Sequence, residues 1–151
     1  MVTIEKDVWI ETPRERVFEY MAVPENHLEV MPSLQDVRDV EELPNGGTEG
    51  AVTFKMVGIR NDIEFEDVTF DPPALRVYEM GGDLEGEVRY RFEEEDGGTR
   101  FTYELDGSLP SRVLNKVLEP VARRYNEREM ETMLANVKTL LEAEREAEPT
   151  A

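Results

Sequence analysis

The sequence contains no cysteine and only one histidine, His27. Without cysteine the chain has no disulfide framework, no thiol nucleophile and no thiolate metal ligand. A single histidine argues against a transition-metal site, and its setting in a loop favours a position at the surface. We therefore expect neither a metal site nor a cofactor.

Basic residues are also scarce. The chain has 17 Lys and Arg residues against 35 Asp and Glu residues, which gives a formal net charge of −18. A nucleic-acid partner is not expected, because proteins bind a phosphate backbone by neutralising it with basic side chains. An acidic surface with only four lysines is typical of proteins adapted to molar salt, and an ordinary acidic protein is the alternative. The lysines are Lys6, Lys55, Lys116 and Lys138.

Long apolar runs are absent, and the opening "MVTIEKDVWI" has no basic segment followed by an apolar one. These features predict neither a signal peptide nor a membrane-inserted segment, since a span needs about 20 apolar residues. We therefore expect a cytoplasmic protein. With 151 residues, 39% of them hydrophobic, the chain can bury the core of one domain.

Apolar residues alternate in "VTIEKDVWI", which predicts an opening strand. "TPRERVFEYM" then predicts a helix with Thr12 as its cap and Pro13 at its first position, and "VPENHLEVMPSL" predicts a second short helix. Short turns between the later segments favour an antiparallel sheet. The six further predicted strands cover residues 34–43, 50–57, 61–70, 75–80, 86–92 and 100–105.

The predicted strand at residues 61–70 changes its alternation partway along. Ile63 and Phe65 share one parity, whereas Val68 and Phe70 share the other. This pattern predicts a β-bulge near Glu66 and Asp67, and bulges bend sheets. For residues 75–80 the sequence leaves open which parity faces inward.

A long closing helix is predicted from residue 120 to 144, about 37 Å at 1.5 Å per residue. Its core stripe comprises Met130, Met133, Leu134, Val137, Leu140 and Leu141. Continued toward the N-terminus of a straight helix, this stripe meets Ala122, Arg123 and Asn126, whereas Leu114, Val117, Leu118, Val121 and Tyr125 lie on another side. Small and polar residues facing the sheet would leave room for a small molecule. Alternatively, a bend near Pro120 or in "PSRVLNKV" keeps the apolar residues buried throughout.

Several segments in this order carry a family resemblance: "TPRERVFEYMAVPENHLEVMP", "DPPALRVYEM", "YRFEEEDGGTRFTYEL" and "LANVKTLLEAE". Together they resemble the START-like, or SRPBCC, superfamily in its polyketide cyclase/dehydrase branch. The resemblance implies an α+β helix-grip fold. In this fold a curved antiparallel sheet of about seven strands wraps around a long C-terminal helix, and two short helices follow the first strand. The sequence contains no internal repeat, low-complexity linker or second domain, so we expect one domain at residues 1–146 and a frayed tail at 147–151.

The resemblance also implies a deep, largely apolar cavity, but the family has no universal catalytic motif to transfer. Where this branch often has Trp in the second short helix, the chain has Val30. The chain has none of the motifs GxSxG, HExxH, GxxxxGK[ST] or GxGxxG. We expect the cavity to be lined by Phe54, Met56, Phe65, Val88, Tyr90, Phe101, Tyr103, Ala122, Arg123, Asn126, Met130 and Met133.

The leading hypothesis is binding or carriage of a small hydrophobic molecule, such as a lipid, a polyketide or an isoprenoid-like compound, by a monomer or homodimer. An alternative is a cyclase or dehydrase that uses a cavity Tyr or Glu as acid/base, with Tyr78, Glu79, Tyr90 and Tyr103 as candidates and Glu66 as a further one. A second alternative is a protein-partner module without a ligand. Arg123 either forms helix-surface ion pairs with Glu119 and Glu127 or meets an anionic ligand group at the cavity mouth.

Overall fold

A computed structural model describes residues 2–56, 58–107 and 119–147. The first strand is followed by a helix, a short 3₁₀ turn and a second short helix, then by six strands and the long helix. In chain order these elements are β1 (Val2–Ile10), α1 (Arg14–Ala22), the 3₁₀ turn (Pro24–Asn26), α2 (His27–Val30), β2 (Leu34–Glu42), β3 (Thr48–Met56), β4 (Ile59–Asp71), β5 (Leu75–Gly82), β6 (Gly86–Glu95), β7 (Gly98–Gly107) and α3 (Glu119–Ala147).

The seven strands form one antiparallel sheet in the order β1-β7-β6-β5-β4-β3-β2. Strands β2 to β7 follow one another along the sheet, as the short turns predict, and β1 joins the far side of β7. The predicted α+β helix-grip fold, with two short helices after the first strand, is therefore confirmed.

The predicted β-bulge lies in β4, where the register with β5 shifts between Asp67 and Thr69. Ile63, Phe65 and Asp67 are buried, Val68 is 42% exposed, and Phe70 again packs against the core. The position of the bulge is thus confirmed. The sequence pattern did not predict that the acidic Asp67 would occupy an interior position.

The start of α1 differs from the prediction. Thr12 does not cap the helix: Pro13 occupies the cap position, the helix begins at Arg14, and no side chain donates or accepts a capping bond. Thr12 instead faces the sheet, where its carbonyl accepts a hydrogen bond of 2.7 Å from Thr99 Oγ1. Proline fixes an extended entry into the helix by itself, which explains why the start forms without the cap.

Polar contacts at several points hold α3 over the sheet and the short helices. Lys138 Nζ donates to Trp9 O at 2.8 Å, and Asn136 Nδ2 donates to Val30 O at 3.0 Å. Arg16 forms a bidentate ion pair with Glu144, with bonds of 2.7 and 2.9 Å. These contacts fix the C-terminal half of α3 against β1, α1 and α2.

The face of α3 that meets the sheet includes the predicted core stripe. Met130, Met133, Leu134, Val137 and Leu141 are buried, and Leu140 is partly buried. Near the start of α3, Val121 is 51% exposed while Ala122 is fully buried. A bend at Pro120 that kept Val121 inside is therefore ruled out. Leu114, Val117 and Leu118 lie outside the described residues.

Candidate functional site

The interior between the sheet and the helices holds two adjacent spaces, which we call the inner and outer chambers. The inner chamber lies among α2 and strands β2 to β5, and the outer chamber lies between the sheet and α3. They provide about 40 and 50 Å³ for the centre of a water-sized sphere. One water needs about 10–15 Å³ by this measure, so each chamber has room for only a few waters.

Both chambers have mainly apolar walls. Leu34, Val52, Ile63 and Phe65 line the inner chamber. The walls of the outer chamber include Val88, Leu84 and Leu105. Lining of this kind, with a few polar groups, is typical of small-molecule sites.

Four residues line both chambers and therefore form the partition between them: Met31, Phe54, Tyr78 and Met80. Met56 and Met130 also line the outer chamber. A methionine side chain is unbranched and changes rotamer at low cost, so it adapts to ligands of different shape. Met31 and Met80 are therefore the adaptable part of this partition, beside the rings of Phe54 and Tyr78.

A buried ion pair stands at the wall of the inner chamber. Arg76 Nε donates to Asp67 Oδ1 at 2.7 Å, and the two side chains are 2% and 0% exposed. Arg76 Nη1 also donates to Met21 O at 3.0 Å, and Asp67 Oδ2 accepts from Thr48 N at 2.7 Å. The positive charge of Arg76 is therefore neutralised by a carboxylate that is itself held in place.

Three further polar side chains form a hydrogen-bonded row beside this pair. His27 Nε2 lies 3.2 Å from Tyr90 Oη, and Tyr90 Oη lies 3.2 Å from Tyr78 Oη. The guanidinium of Arg76 lies over the ring of Tyr78, 4.7 Å from its centroid, which is cation–π geometry. The interpretation of His27 as a surface residue is wrong, since it is only 7% exposed.

Burial sets the protonation states of these groups. It lowers the pKa of His27 to about 3, with a further contribution from the positive charge of Arg76. Burial also raises the pKa of Tyr78, and it raises the pKa values of Tyr90 and Tyr103 well above their ordinary value. At neutral pH His27 and these three tyrosines are therefore uncharged.

The polar groups of the outer chamber come mostly from α3. The Glu129 carboxylate accepts hydrogen bonds from Ser33 N, at 2.8 Å, and from Ser33 Oγ. Asn126 Nδ2 lies 3.9 Å from Met56 Sδ, and Tyr125 Oη donates to Lys55 O at 3.0 Å. These contacts bring one carboxylate and one amide to the wall opposite the sheet.

The predicted cavity residues fall into three groups. Phe54, Met56, Phe65, Val88, Tyr103, Asn126 and Met130 line one or both chambers. Phe101, Ala122 and Met133 are fully buried but line neither chamber, and the fully buried Tyr90 is hydrogen-bonded to two lining residues, Tyr78 and His27. Arg123 lies outside both chambers with its side chain 50% exposed.

The position of Arg123 follows from its partners. Its Nε donates to Glu127 at 3.1 Å, and its Nη2 lies 3.4 Å from Thr3 O.

Glu66 and Glu79 are exposed on the outer face of the sheet, where they line a shallow groove. In β5 the residues Arg76, Tyr78 and Met80 line the cavity, which answers the question of parity left open by the sequence.

Sequence reasoning missed Asp67, Arg76, His27, Ser33 and Glu129. Arg76 shares the parity of Tyr78 and Met80, so the period-2 pattern could have placed it inside. A charged residue is rarely fully buried unless paired, however, and its partner Asp67 lies on the neighbouring strand at the bulge. Only the register between β4 and β5 brings the two together.

Within residues 2–56, 58–107 and 119–147, no group of three or more His, Asp or Glu side chains could hold a metal ion. Among the helices of the same ranges, none is long and apolar enough to cross a membrane.

Comparison with solved structures shows the same fold in proteins of low sequence identity. TTHA0849 from Thermus thermophilus matches with a TM-score of 0.79 and 18% identity, covering 95% of this chain and 99% of the other. The Zhui aromatase/cyclase from Streptomyces sp. R1128 matches with a TM-score of 0.76 and 18% identity, covering 97% and 96%. The Aha1 dimer from Colwellia psychrerythraea matches with a TM-score of 0.65 and 14% identity, covering 94% and 97%.

No curated protein sequence matches the chain. A family model does match, however, and its description is polyketide cyclase / dehydrase and lipid transport. The match covers residues 1–142, nearly the whole chain. The chain therefore belongs to the polyketide cyclase/dehydrase and lipid transport family.

Proposed function

We propose that the protein binds a small, mainly apolar molecule in the cavity between the sheet and α3. The observation that carries this proposal is the shared wall of Met31, Phe54, Tyr78 and Met80 between two apolar chambers. Family membership supports the same class of function. A ligand larger than a few waters enters when the methionines change rotamer and the partition opens.

The protonation states favour binding over acid–base catalysis. An efficient general acid or base has a pKa near the working pH. The pKa of His27 is lowered to about 3 and that of Tyr78 is raised above its ordinary value, so both move away from neutrality. The Tyr78 hydroxyl is therefore suited to hydrogen bonding with a ligand rather than to proton transfer, and both nitrogens of the His27 imidazole are held by Val23 O and Tyr90 Oη.

A cyclase or dehydrase remains the second candidate because of Glu129. Its carboxylate lines the outer chamber and is held by Ser33, so it could face a bound substrate. Turnover of a polyketide-like substrate that is lost in Glu129→Gln, with binding retained, would favour this function. Binding retained without turnover in either protein would favour the carrier.

If the protein is instead a protein-partner module without a ligand, its interior should be closed to small molecules. Native mass spectrometry of the protein purified from its own host separates this alternative from the proposed function. We expect a bound small molecule, which is lost in Asn126→Trp because the larger side chain fills the outer chamber. Arg124→Trp is the matched control, since Arg124 has a 60% exposed side chain on the same helix.

In the Arg124→Trp protein the molecule should remain bound. Loss from both variants would mean that the effect is not located in the cavity. Absence of any bound molecule from the wild-type protein, together with failure to bind added apolar probes, would contradict the proposed function.

A further inference from the structure

The outer chamber has a negative wall. Glu129 lines it, and both hydrogen bonds to its carboxylate come from the uncharged donors Ser33 N and Ser33 Oγ. Among the described residues, no Lys or Arg forms an ion pair with Glu129. Its charge also reaches the neighbouring wall, since it adds to burial in raising the pKa of Tyr103. A ligand in the outer chamber therefore meets a carboxylate that no Lys or Arg of the described residues neutralises.

The described residues of the inner chamber offer no free positive charge to offset this carboxylate. Arg76 is the only Lys or Arg that lines either chamber among the described residues, and Asp67 neutralises it at 2.7 Å. The other titratable groups that line the inner chamber, His27 and Tyr78, are uncharged at neutral pH. A buried ligand carboxylate would be left without a counter-ion, which carries a large desolvation cost.

The directions of the hydrogen bonds among His27, Tyr90 and Tyr78 define whether a ligand must donate or accept a hydrogen bond at Tyr78. Val23 O can only accept, so His27 Nδ1, 3.3 Å away, carries the imidazole proton. His27 Nε2 must then accept from the Tyr90 hydroxyl, and Tyr90 Oη accepts in turn from the Tyr78 hydroxyl. Tyr78 Oη has donated its proton, and a ligand in either chamber shares its lone pairs with the Tyr103 hydroxyl, which is also hydrogen-bonded to Tyr78. The acceptors that the cavity presents are therefore Tyr78 Oη and the Glu129 carboxylate, beside the Asn126 amide and the Tyr103 hydroxyl of the outer chamber.

We propose that the ligand is an uncharged, mainly apolar molecule that donates a hydrogen bond through a hydroxyl group, and that Glu129 excludes anionic molecules from the cavity. This inference rests on the proposed function and defines its ligand class. It argues against an anionic ligand group held by Arg123, which lies outside both chambers and pairs with Glu127.

Three probes that share one ring system test the ligand class. They are 2-naphthol, which is uncharged and donates; 2-methoxynaphthalene, which is uncharged and only accepts; and 2-naphthoate, which is anionic. We expect 2-naphthol to bind most tightly and 2-naphthoate most weakly when each is titrated into the protein at low salt and neutral pH and followed by calorimetry. Binding of 2-naphthoate as tight as that of 2-naphthol would overturn the inference and leave the proposed function standing.

The role of Glu129 is tested with Glu129→Gln, which keeps the shape and a hydrogen-bond acceptor for Ser33. The affinity for 2-naphthoate should rise on the order of tenfold, because one close charge repulsion is removed. Glu146→Gln makes the same change of net charge at an exposed position of α3, roughly 25 Å along the helix. Equal gains in the two variants would show that only the overall charge matters, and would overturn the role of Glu129.

The acceptor role of Tyr78 is tested with Tyr78→Phe. The preference for 2-naphthol over 2-methoxynaphthalene should fall by about fivefold or more, since one hydrogen bond is lost. Tyr20→Phe is the control, because the buried Tyr20 lines neither chamber and its hydroxyl donates to Asn26 O at 3.4 Å. An unchanged preference in Tyr78→Phe would overturn the hydroxyl assignment. Failure of all three probes to bind the wild-type protein would instead contradict the proposed function itself.

Discussion

Asp67 and Arg76 show how a charged pair can occupy the interior of an apolar cavity. Asp67→Ala should lower the free energy of unfolding by about 3–5 kcal/mol, because Arg76 would remain buried without its counter-ion. Urea unfolding at neutral pH measures this loss. Asp36→Ala removes an ion pair whose Asp side chain is 57% exposed, and it should cost less than about 1 kcal/mol. Equal losses in the two variants would contradict the account of the buried pair.

His27 should make the stability depend on pH. Its pKa is about 3 in the folded protein, so it stays neutral there, while in the unfolded chain it gains a proton below about pH 6.5. The unfolded state therefore binds more protons between about pH 3 and 6.5, and stability falls as the pH drops through this window. Where His27 is protonated in the unfolded chain and neutral in the folded protein, the free energy of unfolding falls by about 1.4 kcal/mol for each pH unit.

His27→Gln isolates this effect, because the carboxylates that also titrate below pH 6 are common to both proteins. The difference in unfolding free energy between wild type and His27→Gln should change steadily from pH 6.5 to pH 4, to the disadvantage of the wild type. A difference that is constant across this range would mean that His27 is not held neutral by burial.

At the scale of elements, the β2–β3 turn packs directly against the bulge of β4. A Cβ at Gly47 would lie 2.5 Å from Asp67 Cβ and 2.7 Å from Asp67 Oδ2. Gly47→Ala should therefore destabilise the protein by roughly 1–3 kcal/mol, since the clash displaces the carboxylate that holds Arg76. Thermal or urea unfolding measures the change.

Gly81→Ala is the matched control for this prediction. Gly81 lies in β5, and a Cβ there would meet no atom within 4 Å. This substitution should change the stability by no more than about 0.5 kcal/mol. A Gly47→Ala protein as stable as Gly81→Ala would contradict the tight packing of the turn against Asp67.

The elements were largely predictable from the sequence, because alternation and helical periodicity reflect which face of each element is buried. Strand β6 and the stripe from Met130 to Leu141 follow this rule. The interior polar groups were not predictable, because they depend on pairing between distant elements. Asp67 meets Arg76 only through strand register, and Glu129 meets Ser33 across 96 residues of chain.

At the scale of the whole molecule, the net charge of −18 predicts self-repulsion that salt relieves. We expect the melting temperature to rise between 0.05 and about 2 M sodium chloride, because the Debye length falls to about 3 Å at 1 M. Differential scanning calorimetry measures this shift. A melting temperature that does not depend on salt would contradict the hypothesis of a salt-adapted surface.

The central claim is that the interior cavity opens at its methionines to admit a ligand. Methyl-labelled methionine NMR during titration with 2-naphthol tests it most directly. We predict shifts for the four cavity methionines, Met31, Met56, Met80 and Met130. The core methionines Met21 and Met133, which line neither chamber, should shift much less. Saturable shifts confined to the first group would support the claim, whereas equal shifts in all six, or none, would contradict it.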